Sequence, residues 1–583
     1  MKLLRAIGVT AAFATAIAGL SLTDASAASK RSGFSVPTVG AFVQRNGVAA
    51  ARALNPELTA SDIAELSEDP TARITATGKI LFVERRIASV TGTTSSIPAN
   101  VSGIPLTDFL SLNSNPGSTR TIFLDFDGHT VPAGTLWDDV TYGNGGDPFV
   151  AGEYPAFTMD GSAGFSNLEK QAIINAWAAV AEDYAPFDVN VTTEFPGDEA
   201  INRTDSSDDV FGTRALISGG TTGWNADTCG CGGIAYMGVF NEAIDLYGFE
   251  HEEWQPAFIF FTPSDFISTY MDSAAEAGKF ISDVASHEVG HNLSLDHDGG
   301  SADGEYFEGQ DDGINWAPIM GAGYYNGLAQ WSNGDYPGAS ETEDDLFKIA
   351  ETGAPFITDE SNNATGSALF ITGAAADGFI GRRNDVDWFK VTVTNRTLGV
   401  YSGPPTPNTN LDTKLTLRDG AGKEIFSTDA LSTMTEDGNG IGVQPVTGMD
   451  GILNADLPNG TYYLTIEGVG RTGAYSDYGS LGAYSIKTRT PSVSSIATIG
   501  SPTISGTRRK GRTLTANYGT WTSGVSIAKQ WLRDGVAITG ATSKTYVLKT
   551  ADVGHKISVR LVGTKSGKRT AIKVSAKTAR ITN

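Results

Sequence analysis

The sequence predicts an α+β domain of α/β type, with a twisted mixed sheet and one long site-bearing helix, followed by two all-β sandwich modules. Three observations lead there. Between residues 118 and 355 the pattern runs strand, helix, several strands and a second long helix, as expected for a sheet backed by helices. After Ala354-Pro355 the chain changes to short alternating strands separated by turns. Three of its six histidines crowd into one stretch, Ser286 to Asp298. The 583 residues suit several domains, expected at 1–27, 28–117, 118–355, 356–490 and 500–583.

The first segment reads as a secretory signal. Lys2 and Arg5 precede an apolar run from Ala6 to Leu22, and Ala25-Ser26-Ala27 fits a cleavage site. An exported protein is expected, with no other stretch long and apolar enough to span a membrane. Residues 28–117 contain a helical pattern from Pro56 to Leu66, a short strand from Lys79 to Val83, and a linker-like composition from Thr91 to Thr119. This region is expected to be a propeptide. It has no cysteine, so it offers no thiolate to a metal. Glu84-Arg85-Arg86 is read as a solvated charge cluster, with a processing point as the alternative.

The central domain opens at Arg120–Gly128, a strand ending in a glycine turn, with Asp125 and Asp127 expected at its rim. Ser166 and Glu169 form a capping-box pattern ahead of an apolar stripe through Ile173, Ile174, Trp177 and Val180, and Pro186 ends that helix. Strands are expected at 188–193, 214–217, 234–240 and 257–261, and the second helix starts near Lys279. Cys229 and Cys231 are the only cysteines; they are expected as a tight disulfide or as two free thiols in a loop. His251 echoes a metal motif without its second histidine and reads as loop. His129 is a reserve candidate.

His287 and His291 are four residues apart, so one helix face carries both imidazoles. Two such groups can hold one zinc ion, and Glu288 lies beside them. His297 reaches the same point only if the chain leaves the helix and turns back. Three imidazoles leave a fourth zinc position open, as catalytic sites do.

The run from His287 to Asp298 resembles the extended zinc signature of the metzincin metalloproteases, and most closely the reprolysin branch. Ala317-Pro318-Ile319-Met320-Gly321 resembles their Met-turn. Gln330-Trp331-Ser332 and Glu343–Leu346 are similar to the return segment and final helix of secreted bacterial members. The resemblance covers roughly residues 120 to 350 and implies a metzincin catalytic fold with a zinc helix. It implies a secreted zinc endopeptidase of proteins and peptides. His287, His291 and His297 would bind Zn2+ and Glu288 would act as general base. Met320 would pack beneath the histidines, Asp298 would orient the turn, and Tyr324 or Tyr325 would help an oxyanion. Ser294 departs from the family, which has glycine where the chain must turn left-handed; serine there costs on the order of 1 kcal/mol. A later glutamate, Glu305 or Glu308, is the alternative third ligand.

Residues 356 to about 488 resemble the pre-peptidase C-terminal domain of secreted bacterial proteases, through Asn384–Phe389, Gly460–Leu464 and Tyr475–Ser480; its aspartates are possible Ca2+ ligands or turn formers. From about Pro502, Gly511–Thr515, Trp521, Gln530–Gly535 and Tyr546 resemble immunoglobulin-like repeats of bacterial surface proteins. The whole chain carries −24, which argues against a general nucleic-acid binder. Residues 501–583 hold 16 Lys and Arg against two acids, a net of +14, leaving −38 for the rest. Such a module could tether the protein to anionic cell-wall polymer, or simply form a soluble surface. Two other functions stay open: an adhesion or carbohydrate-binding protein with a structural zinc site, and a metallohydrolase acting on a non-peptide bond.

Overall fold

The computed structural model describes residues 36–85, 100–142, 147–148, 151–220, 231–262, 273–301, 304–309, 316–323, 326–359, 363–371, 375–403, 409–428, 433–434, 446–447, 449–489, 491 and 493–583. The expected signal segment, Arg86, Cys229, Tyr324 and Tyr325 lie outside them.

Residues 36–85 fold as helices α1 (Val39–Asn46), α2 (Val48–Leu54) and α3 (Ala60–Glu68), then strands β1 (Ala72–Ile74) and β2 (Ile80–Arg85). The helix expected from Pro56 starts later because Thr59 and Asp62 form a capping box that sets its first turn at Ala60. Val39, Ile63, Leu66, Ile74, Ile80 and Phe82 make a small core of their own.

The main sheet is built from β3 (Arg120–Asp125), β4 (Asn190–Thr192), β5 (Phe211–Ser218), β6 (Cys231–Tyr236) and β7 (Ala257–Phe260), joined by β1 and β2. Its order is β1-β2-β6-β7-β5-β3-β4. The β7, β5, β3 and β4 neighbours are parallel. The β1–β2, β2–β6 and β6–β7 pairs are antiparallel, so the sheet is mixed. Its central strands are almost wholly buried, as in sheets covered on both faces. A strand expected in a separate propeptide is thus hydrogen-bonded into this sheet.

Two long helices pack together on the sheet, α4 (Asn167–Asp183) and α5 (Ala274–Asn292). Ser166 and Glu169 cap α4 reciprocally, as their spacing predicts. The helices approach closely at Gly278, where a Cβ would lie 2.5 Å from the Asn175 Cβ. Residues 100–119 are not a free linker. Val101 and Leu112 are buried with Ile174, and the Val101 amide donates to Asn175 Oδ1 at 2.9 Å. Asp125 is not a rim residue; it is buried and ion-paired to Arg214, and burial raises its carboxyl to about 7 despite that partner. Cys231 is disulfide-bonded.

Strands β8 (Trp316–Pro318) and β9 (Leu328–Gln330) pair in parallel beyond α5, and α6 (Asp345–Glu351) comes next. After it comes β structure in two stacks. One five-stranded sheet orders 369–370, 387–393, 460–468, 413–418 and 424–428; Asp387–Val393 alternates between buried and more exposed positions, the period of a one-sided strand. The second runs through 375–380, 482–489, 397–403 and 451–456. It then continues into the last module, where Ala455 faces Thr570 in a parallel pair. The two β modules therefore share a sheet. No helix among the described residues is long and apolar enough to cross a membrane.

Candidate metal centre

The site forms where α5 ends. Ser273 caps the helix start by accepting from the Glu276 amide at 3.2 Å. The last two turns carry His287 and His291 on one face, and both rings are fixed from behind. His287 Nδ1 lies 2.9 Å from the Ile319 carbonyl and His291 Nδ1 lies 2.8 Å from the Leu295 carbonyl. A backbone acceptor at Nδ1 keeps the proton there and leaves Nε2 free as a ligand atom. Neither Nε2 makes a hydrogen bond, although both residues are buried.

The chain then turns as the resemblance requires. Ser294 takes φ 72°. Its amide donates to the His291 carbonyl at 2.9 Å, and the Leu295 amide donates to the Gly290 carbonyl at 3.0 Å. This is a Schellman ending with serine in the left-handed position. His297 comes back over the helix: its ring centroid is 5.2 Å from that of His287 and 4.8 Å from that of His291. Its Nδ1 donates to Asp69 Oδ2 at 2.6 Å.

One carboxylate stands in the middle. Glu84, on β2, is buried with His287, His291 and His297 in a group whose ligand atoms all lie within 4.8 Å of one another. Glu84 Oε1 is 3.1 Å from His297 Nε2 and 3.3 Å from His291 Nε2, and Oε2 is 3.6 Å from His287 Nε2. Tyr306 donates its hydroxyl to Glu84 Oε2. Glu84 is therefore no part of a solvated charge cluster. Its role escapes a reading of spacing, because 203 positions separate it from His287. The alternation of β2, with Phe82 and Glu84 on one face, is the available signal.

Electrostatics agree with this geometry. Burial works to raise the Glu84 carboxyl, but His297 and His287 outweigh it and hold it well below the ordinary range. Burial works to lower His297, and Glu84 and Asp69 hold it well above. Burial brings His291 down to about 4. This buried group could bind a metal ion: three imidazole nitrogens and one carboxylate oxygen converge, two of the nitrogens otherwise unsatisfied. Nitrogen and oxygen donors of this kind suit several first-row metals, zinc among them.

Glu288 lies beside the group, fully buried, with neither carboxylate oxygen hydrogen-bonded. Burial, then the charge of Glu84, pushes its carboxyl well above the ordinary range. It packs on β6 at Gly233, where a Cβ would sit 1.8 Å from Glu288 Oε1. That glycine makes room for the acid, a requirement with no counterpart in the sequence pattern.

Met320 is buried under the helix, its Sδ 2.6 Å from where a Cβ at Gly290 would be, and its carbonyl accepts from the Asp298 amide at 2.9 Å. Asp298 is buried with its carbonyl bound to the Phe307 amide at 2.8 Å. Among the described residues Glu305, Glu308, His129 and His251 do not belong to the metal-ligand group. His251 sits in a 3-10 turn and accepts from the Arg203 amide at 3.0 Å.

No family model matches the chain, and a search of curated proteins finds no match. Among solved structures it is similar to a pre-peptidase C-terminal domain of collagenase from Bacillus anthracis, at 13% identity, over 23% of this chain and 98% of that one, with a TM-score of 0.13. It is also similar to a β-1,2-glucanase from Parabacteroides distasonis, at 9% identity, over 37% and 34% of the two chains, with a TM-score of 0.13. A third is the M60 catalytic domain with the CBM51-1 and CBM51-2 domains from Clostridium perfringens ZmpB, at 14% identity, over 35% and 21%, with a TM-score of 0.11. At such scores these likenesses carry no argument about fold or activity.

Proposed function

We propose that the protein is a secreted zinc endopeptidase of metzincin type, with His287, His291 and His297 as zinc ligands and Glu288 as general base. The observation that carries this reading is the convergence of three buried imidazoles beside an unpartnered buried carboxylate. Zinc, when bound, supplies a Lewis acid and brings the pKa of water toward neutrality.

The chain's own groups do the rest. Ile319 and Leu295 carbonyls hold two rings in the tautomer that offers Nε2. Glu288 takes a proton from the attacking water and returns it to the leaving amine. Tyr306, whose hydroxyl already donates to a carboxylate oxygen at the centre, would donate to the oxyanion. It takes the role that the resemblance gives to Tyr324. Met320 and Asp298 support the turn that carries His297.

The test is digestion of an unfolded protein such as casein by protein freed of residues before Asn100, with metal content measured in parallel. Activity is expected to disappear with a chelator and return with zinc. Glu288→Gln should keep one metal per chain and lose about 10²- to 10⁴-fold in rate. Tyr306→Phe should keep the metal and lower kcat. Full activity in Glu288→Gln would sink the mechanism. Retained metal with no cleavage would favour the adhesion protein, and turnover of a non-peptide ester or glycoside alone would favour the other metallohydrolase.

A further inference from the structure

We infer that Asn410, in the loop before strand 413–418 of the first β module, is a positioning residue for His287, and that this module is thereby a part of the metal centre. The inference rests on the metal reading above and concerns a residue 123 positions from His287.

Two routes of hydrogen bonds run from Asn410 to His287. The first starts at its side chain. Asn410 Nδ2 donates to Asp183 Oδ1 at 2.8 Å, and Asp183 Oδ2 accepts from Ser286 Oγ at 2.6 Å. Ser286 directly precedes His287 on α5. The second route starts at its backbone. The Asn410 carbonyl accepts from Gln330 Nε2, and the Gln330 carbonyl accepts from the Ile319 amide at 2.9 Å. The Ile319 carbonyl in turn faces His287 Nδ1 at 2.9 Å. One route fixes the helical turn that carries the ring, and the other fixes the ring's outer nitrogen. Asp183, Ser286, Gln330 and His287 are all buried, so a donor or acceptor lost along either route is not replaced by bulk water.

The groups on both sides leave Asn410 little freedom. Gln330 Oε1 accepts from Trp316 Nε1 at 2.8 Å, which turns the amide nitrogen of Gln330 toward Asn410. Trp331 Nε1 donates to the Asp183 carbonyl at 2.7 Å, and Thr409 Oγ1 donates to Glu182 Oε1 at 3.2 Å. On the module side, Leu411 is fully buried. The Asp412 amide donates to Ser480 Oγ at 2.8 Å, and its carbonyl accepts from the Val469 amide at 2.9 Å. The module backbone also lies against the end of β9 at Gly479, where a Cβ would sit 2.5 Å from the Trp331 carbonyl oxygen. Beside it, the Tyr475 ring stacks on Trp316 with centroids 6.1 Å apart and an interplanar angle of 21°.

The chemistry lies in the outer nitrogen of the imidazole. The partner of Nδ1 sets which tautomer a ligating histidine adopts, how its ring is oriented and how basic Nε2 is. Asn410 acts on that partner and on the helix beneath it without touching the metal. A module hung on a free linker would leave the centre unchanged when it moved. Displacing this one breaks both routes at once, so the module has to stay docked for His287 to hold its place.

The test is cobalt(II) binding by the full-length chain, read as affinity in competition with nitrilotriacetate and as the visible cobalt spectrum. Asn410→Leu keeps the bulk and removes the donor. It should bind cobalt about 10- to 100-fold more weakly than the parent, with an altered spectrum. Ser286→Ala breaks the same route from the helix side and should lose a similar factor, which keeps the question decidable where Asn410→Leu does not fold. Asn410→Asp combined with Asp183→Asn exchanges donor and acceptor across the same bond. That pair should return affinity to within about threefold of the parent and restore the spectrum. Parent-like affinity and spectrum in either folded single variant would overturn the positioning role and leave the metal reading standing. A loss that the exchanged pair does not restore would overturn it too. Absence of cobalt from every form, the parent included, would overturn the metal reading and the positioning role with it.

Discussion

Ser294 is the residue on which delivery of the third histidine depends. Its φ of 72° lies in the region where a Cβ is unfavourable, at a cost of about 1–2 kcal/mol. Glycine would remove that cost and add some unfolded-state entropy, about 0.5–1 kcal/mol. Ser294→Gly should therefore stabilise by up to about 1 kcal/mol, read as a higher urea midpoint at unchanged m-value. A lower midpoint would remove strain from the account of this turn. The strained position is legible in the sequence because it stands between two histidines whose return path is constrained. Glu84 and Gly233 are not legible. Their roles come from a strand pairing across about 150 residues and a packing contact of one atom, neither of which leaves a local pattern.

At the scale of elements, α4 and α5 are legible from a capping box, apolar stripes and a proline stop, because helix signals are local. The sheet is legible only in part: its parallel strands read as strands of the central domain, while β1 and β2 read as belonging elsewhere. What joins the helices is also invisible in sequence. Asp183, at the end of α4, accepts from Ser286 Oγ at 2.6 Å and from Asn410 Nδ2 at 2.8 Å, linking the site helix to the β module. Burial raises its carboxyl to about 7. A raised folded-state pKa contributes stability that is complete below the unfolded value near 4 and is lost as pH rises through about 7. Asp183→Asn stays neutral throughout. Between about pH 5 and 8 the wild type should lose up to about 3 kcal/mol that the variant keeps. Denaturant unfolding of both proteins at fixed metal concentration measures this, and parallel pH profiles would show that Asp183 is not the group responsible.

Across the whole molecule, charge divides the chain more sharply than fold does. The last module's excess of Lys and Arg is legible by counting, but how it is used is not. Part of it pairs with the neighbouring sandwich: Arg560 meets Asp419 at 3.0 Å and Arg569 meets Asp456 at 2.8 Å, beside the strand pairing that joins the two modules. Those charges hold the module in place and are not free for a partner. Arg508, Lys510 and Arg512 are different, exposed together on one loop. If the module tethers the protein to an anionic cell-wall polymer, this loop should carry the attraction. Exposed charges act over roughly 10 Å at 0.1 M salt and roughly 3 Å at 1 M. The intact protein should thus bind immobilised anionic polymer at low salt and elute well before about 1 M. The triple variant Arg508→Ala, Lys510→Ala, Arg512→Ala should elute earlier, with unchanged unfolding behaviour because none of the three makes an ion pair among the described residues. Identical elution would mean that the exposed charge serves solubility alone, and that attachment, if any, lies elsewhere on the molecule.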